Sequence, residues 1–126
     1  MRTLVKVLAT IIIITVSCKK ELNYNVLTGK WRLAEVTLST GGFPTTKAVD
    51  KSNNNYVHFK SSGDFESNSL TEYTRYEVKD DLIILYKRDN SSFTYAYRLN
   101  NQMLYLSPRT VMCIEGCSDS YKKVAD

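Results

Sequence analysis

Ser92-Phe93-Thr94-Tyr95-Ala96-Tyr97-Arg98-Leu99-Asn100 decides the fold. Phe93, Tyr95, Tyr97 and Leu99 alternate strictly with Thr94, Ala96 and Arg98, and this period of two marks a strand with one apolar and one polar face. The aromatic row belongs inside. Such a strand needs neighbours on its edges and an apolar layer to face. Upstream, Leu82-Ile83-Ile84-Leu85-Tyr86 is apolar on both faces. That pattern predicts cover on the outside as well as the inside, by a loop, an N-terminal tether or a partner.

Working outward, short runs rich in Val, Ile, Thr, Tyr and Phe recur at hairpin spacing. Eight strands are expected: Trp31 to Leu38, Tyr56 to Lys60, Asp64 to Asn68, Glu72 to Lys79, Leu82 to Lys87, Ser92 to Asn100, Gln102 to Ser107, and Ser120 to Val124. Their connectors, Ser61-Ser62-Gly63, Asp80-Asp81, Asp89-Asn90-Ser91 and Asn100-Asn101, carry residues that tolerate positive φ. The expectation is all-β: a small antiparallel up-and-down barrel, or a flattened barrel, of about eight strands. Ser39 to Asn54 breaks the pattern with Gly41-Gly42, Pro44 and Asn53-Asn54, so it reads as one long loop, either a lid or a disordered segment.

The N-terminus has a different composition. Arg2 and Lys6 precede an apolar stretch from Val7 through Ile11-Ile12-Ile13-Ile14 to Val16, followed by small Ser17, which is the layout of a secretory signal over residues 1–17. The stretch is about half of the ~20 residues a spanning helix needs, and no later segment is apolar enough, which argues against a multi-pass membrane protein. Thr15-Val16-Ser17-Cys18 resembles the lipobox at which bacterial lipoproteins are diacylated on the cysteine sulfur and cleaved before it, with Thr15 where a leucine is usual. Cys18 is then the lipidation site, and two acyl chains hold a protein on a bilayer where one holds it only marginally. Cleavage would leave 109 of the 126 residues, enough for one core, and would lower the net charge from +4 to +2. A near-neutral domain without a basic stripe does not fit a nucleic-acid binder. Residues 18–28, polar and charged, read as a tether of at most about 35 Å, and residues 29–126 as the barrel domain.

Cys113 and Cys117 remain, an even pair in a compartment where disulfides persist. Four residues of extended strand would separate their Cα atoms by about 13 Å, whereas a disulfide needs roughly 4.4 to 6.8 Å, so Ile114-Glu115-Gly116 must turn. Zinc would want four ligands, and His58 is the only histidine, so no metal site is expected.

Leu27-Thr28-Gly29-Lys30-Trp31 contains a Gly-x-Trp opening at the first strand. Together with Tyr56-Val57-His58-Phe59-Lys60-Ser61-Ser62-Gly63-Asp64-Phe65 and the ending around Cys113 to Cys117, Tyr121 and Val124, it resembles lipocalins, and more closely the small lipocalin-like lipoproteins of Bacteroidota. The resemblance spans Leu27 to Val124. It implies that Gly29 permits a tight entry to the first strand, that Trp31 closes one end of the barrel, and that a basic residue of the last strand, here Lys122 or Lys123, stacks over the tryptophan.

An eight-stranded barrel is just wide enough to fill itself with side chains or to hold one small ligand. Tyr76, Tyr86, Phe93, Tyr95, Tyr97 and Tyr105 are candidates to line an amphipathic pocket, since tyrosine offers a ring and a hydroxyl that wants a partner. They are equally ordinary core and surface tyrosines. No nucleophile with its base, carboxylate pair, metal cluster or phosphate loop stands at telling spacing, which argues against an enzyme and calls for no cofactor. His58, between Val57 and Phe59, is expected to face solvent, and Asp80-Asp81 is better read as a turn than as an acid and base pair.

Two functions remain. One is a lipid-anchored envelope protein that binds a small apolar or amphipathic ligand, with Ser39 to Asn54 over the open end. The other is an envelope protein-interaction module or inhibitor without a cavity, as in small barrel lipoproteins that inhibit lysozyme, for which exposed Ile83 and Leu85 would speak. Lys19 after Cys18 argues for the outer membrane over retention at the inner one, with either face open.

Overall fold

The computed structural model describes residues 27–39, 42–109 and 117–125. The signal segment, Cys18, the tether before Leu27 and Cys113 lie outside the described residues. Among the described residues nine strands form: β1 (Gly29–Leu38), β2 (Thr45–Ala48), β3 (Tyr56–Phe59), β4 (Phe65–Ser67), β5 (Tyr73–Lys79), β6 (Leu82–Lys87), β7 (Ser92–Asn100), β8 (Met103–Pro108) and β9 (Ser118–Lys123). All belong to one antiparallel sheet in the order β4-β3-β1-β9-β8-β7-β6-β5, with β2 beside β1. Because β9 returns to pair with β1, chain order runs round the sheet and the fold is an eight-stranded up-and-down barrel.

The seam lies between β4 and β5. A single bridge joins Asp64 to Arg75, the amide of Tyr76 donates to the Gly63 carbonyl at 3.0 Å, and the Tyr76 hydroxyl donates to the Lys60 carbonyl at 2.7 Å. Gly63, at φ +91°, makes the turn from which its carbonyl reaches β5. One bridge replaces a full ladder, so the barrel is nearly closed.

The hairpins follow the turn chemistry. Asn101 and Gln102 both have positive φ between Asn100 and its cross-strand partner Met103, the geometry whose twist matches the flanking strands. The turn sits one residue later than expected. Asp80 takes the positive φ between β5 and β6, and Asn90 does so between β6 and β7.

Register sets the faces. Tyr76, Leu85, Phe93 and Val78, Ile83, Tyr95 form cross-strand rows on one side of β5, β6 and β7. Tyr97 with Leu106 and Leu99 with Leu104 continue that side into β8. This is the inner face, where the buried core of Leu27, Trp31, Val57, Phe59, Phe65, Tyr73, Ile83, Leu85, Leu104, Leu106 and Tyr121 gathers and where Phe93, Tyr95, Tyr97 and Leu99 pack against it. A fully buried Leu, Ile, Val or Phe contributes about 1.5–3 kcal/mol, so seven side chains under 2% exposed carry much of the fold.

One condition set above is not met, and one expectation is corrected. Ile83 and Leu85 point inward and are 1% exposed, and it is Leu82, Ile84 and Tyr86 that face out, half-buried. Ser39 to Asn54 is not a loop throughout: Thr45–Ala48 pairs with Glu35 to Leu38 of β1, and the Thr37 and Thr46 hydroxyls meet at 2.8 Å. Threonine-rich and flanked by Gly42 and Pro44, β2 lacks an apolar face, so no alternation announced it. It lies beside β1 in the sheet, exposed along its length. The chain then leaves the sheet over residues 50–54, where Arg32 donates to the carbonyls of Asn53 and Lys51.

Candidate functional site

The two ends of the barrel differ. At one end β1 begins and β9 finishes. Trp31 is 1% exposed, and its indole N–H donates to the Leu27 carbonyl at 2.8 Å. Of the two lysines named above, Lys123 stands over the indole, its Nζ 4.6 Å from the ring centre, and the same ammonium donates to the Thr28 carbonyl. Gly29 makes room for it. Its φ of +121° is one that L side chains rarely adopt, and a Cβ there would lie 2.8 Å from the Lys123 Nζ. Indole, ammonium and glycine plug this end as one unit.

At the opposite end lie the close of β1, the starts of β7 and β9, and the junction of β5 with its preceding loop. Phe93 and Tyr95 pack with ring centres 4.8 Å apart. Asp119 opposes Leu106 on β8 and Val36 on β1, so it shares the inward face of the buried Leu106 and, two residues on, of Tyr121, which opposes Leu104. Burial raises the Asp119 carboxyl above its usual value. Burial also pushes the Tyr95 hydroxyl up to about 12, aided by Tyr73, Asp119 and Glu72. Tyr121 is raised too, chiefly by burial and then by Asp119 and Tyr95. Asp119 is thus a cause common to the rise of Tyr95 and of Tyr121.

Hydrogen bonding separates inner from outer tyrosines. On the outer face, the Tyr56 hydroxyl donates to Glu66 at 2.8 Å under the Lys30 ammonium. The Tyr86 hydroxyl donates to Glu77 at 2.9 Å beside Arg75, and Arg98 stacks 4.5 Å over Tyr105. Inside, the side chains of Tyr73, Tyr95, Asp119 and Tyr121 make no hydrogen bond among the described residues. Tyr121 is 4% exposed, yet no buried side-chain nitrogen or oxygen among the described residues is orphaned.

The six aromatic candidates do not converge. Phe93, Tyr95 and Tyr97 face inward as a row. Tyr76 is inward but spends its hydroxyl on the seam, where it also borders a cleft of about 330 Å³ with Thr28, Ser61, Ser62 and Gly63. Tyr86 and Tyr105 are corrected to the outer face: each stands one residue out of phase with the inward row of its own strand, and charged neighbours hold both. His58 sits out of phase with Val57 and Phe59, each 0% exposed, and opposite Lys30 and Glu66.

Asp119 and Tyr121 escaped the sequence reading of the site. The last strand was expected from Ser120; started at Ser118, its alternation of Asp119, Tyr121 and Lys123 reveals a carboxylate in phase with the core. Cys117, just before β9, is disulfide-bonded, whereas its expected partner Cys113 lies outside the described residues. The fold thus defines a nearly closed up-and-down β-barrel, with Trp31 enclosed under Lys123 at one end and Tyr95, Asp119 and Tyr121 toward the other. No protein family, curated protein or solved structure matches the chain.

Proposed function

We propose that the chain is an exported, lipid-anchored binding protein of the lipocalin-like kind, which holds a small apolar or amphipathic molecule in its unplugged end. The observation that carries this reading is the inward aromatic row of Phe93, Tyr95 and Tyr121 on a nearly closed barrel, with tyrosine hydroxyls and the Asp119 carboxylate that make no side-chain hydrogen bond among the described residues. Buried polar groups normally find partners, and a bound molecule would supply them. Anchoring through acylated Cys18 fits the same arrangement, because Leu27 packs at the plugged end and only eight residues lie between it and Cys18. Those residues reach about 30 Å at most, so the plugged end is the one kept near the bilayer, with the mouth free to meet cargo. The outer membrane is the location this reading favours.

Native mass spectrometry of the protein purified from its own envelope tests it. A stoichiometric small-molecule adduct that disappears when Tyr95 is replaced by a bulkier residue, with the fold intact, is the expected result; a clean apo mass in repeated preparations would count against it. Replacing Cys18 with serine is expected to release the protein from the membrane fraction. A second reading, an envelope protein-interaction module, draws on the β1–β2 hairpin, where Phe43 is 96% and Leu38 56% exposed. Pull-downs that depend on Phe43 and not on Tyr95 would favour it.

A further inference from the structure

The outer face of the β1–β9 pair carries two cations that the sheet does not need. Arg32 and Lys122 stand directly opposite each other, each out of phase with a buried inward neighbour, Trp31 and Tyr121. Like charges in directly opposed positions destabilise a strand pair, and among the described residues no carboxylate forms an ion pair with either. A third cation, Lys51, joins them from the segment after β2. The Val49 amide donates to the Ala34 carbonyl at 2.9 Å, and the chain then swings away from β1 until the Leu33 amide donates to the Asn55 carbonyl at 2.8 Å. This excursion is held in shape. Arg32 Nε and Nη2 donate to the Asn53 carbonyl at 3.0 and 2.9 Å, and Nη2 donates also to the Lys51 carbonyl. Ser52 donates through its amide and its hydroxyl to Asp50 Oδ1, both at 2.8 Å.

Between this segment and the strands lies a cleft of about 190 Å³, bordered by Arg32, Ala34, Val49, Asp50, Lys51 and Lys122. Three cations thus face one carboxylate, and one oxygen of that carboxylate is already taken by Ser52. The carbonyls pin the guanidinium through Nε and Nη2, which leaves the Nη1 N–H groups without an acceptor among the described residues. A guanidinium fixed in this way is pre-organised, so little freedom is lost when an anion arrives. The excess of positive charge selects an anion, and donors from three side chains suit one with several acceptor oxygens, as a phosphate has. We propose that this cleft is a binding site for a phosphate group, held by Arg32 Nη1 and the Lys51 and Lys122 ammoniums and carried either by a lipid headgroup or by a soluble phosphate. The site lies on the outside of the barrel, so the proposal is independent of what the interior holds.

The test is a phosphorus NMR titration of the protein as isolated from cells, in dodecyl maltoside and phosphate-free buffer. The two probes are inorganic phosphate, and didecanoyl phosphatidic acid carried in the micelles. Saturable binding of at least one probe is expected, weakened about tenfold in Lys122→Gln and in Lys51→Gln. Lys47→Gln, on exposed β2 and away from the cleft, should leave it unchanged. Thermal melts check the fold, and Lys51→Gln, outside the sheet, decides the matter should Lys122→Gln fail to fold. Binding of phosphatidic acid alone supports a lipid headgroup as the source; binding of inorganic phosphate supports a soluble one. Binding of neither probe, binding that survives both substitutions, or displacement of the probe by an equal concentration of acetate would overturn the proposal.

Discussion

Lys123 shows how much one side chain can organise. Its ammonium serves the Trp31 ring and the Thr28 carbonyl at once, and Gly29 exists in the form it does because that ammonium occupies the space a Cβ would take. Lys123→Met is expected to lower stability by about 1–2 kcal/mol in urea denaturation, the loss of a partly desolvated cation–π contact and a charged hydrogen bond. Gly29→Ala should cost about 1–3 kcal/mol from backbone strain alone. Asp119 behaves in the opposite sense. Burial raises its pKa, so the folded protein binds that proton more tightly than the unfolded chain does. Its cost is absent below the ordinary value of 3.8 and grows as pH rises through the folded value. Asp119→Asn is therefore expected to stabilise the protein at neutral pH and to leave it unchanged at about pH 3, a difference that paired denaturation curves at the two pH values would detect.

At the scale of elements, β6 is the informative strand. Its composition is apolar on both faces, and composition alone does not say which of two adjacent isoleucines is in the core. Register does: Ile83 opposes Val78 and Tyr95 on the inner face, while Ile84 opposes Glu77 and Thr94 on the outer one. Ile83→Ala is expected to cost about 2–5 kcal/mol, against about 1 kcal/mol or less for Ile84→Ala. Equal losses from the two would mean that the outer face of β6 is covered as fully as the inner. The reverse case is β2, whose Thr45–Ala48 strand is held by backbone pairing to β1 and a threonine contact, with every residue exposed. Propensity places threonine in strands, but a strand without an apolar face leaves no period to find.

For the whole molecule, enclosure by the barrel governs its response to alkali. Tyr95 ionises at about 12 against an ordinary 10, and burial raises Tyr121 as well. The unfolded chain releases these protons first, so stability holds up to about pH 10 and falls from there toward pH 12. Discounted for its partial exposure, Tyr95 alone accounts for on the order of 1–2 kcal/mol of that fall. Denaturation curves from about pH 9 to about pH 11 should show the decline, and tyrosinate absorbance should show a late-titrating class of tyrosines.

Strand identity was legible in the chain because a period of two is a local property. Phe93, Tyr95, Tyr97 and Leu99 declare an inward row wherever the strand is put, and the eight expected strands are all present. The plug was partly legible too, since Gly29 and Trp31 lie two residues apart in one short motif. What only the tertiary structure decided is everything that depends on which strands meet. The choice of Lys123 over Lys122 follows from its pairing opposite Trp31. The outward turn of Tyr86 and Tyr105 and the inward turn of Asp119, opposite Leu106 and in phase with Tyr121, likewise follow from cross-strand register. A shift of one residue would reverse every side chain on a strand, and that register is set by packing between segments tens of residues apart, which no local pattern records.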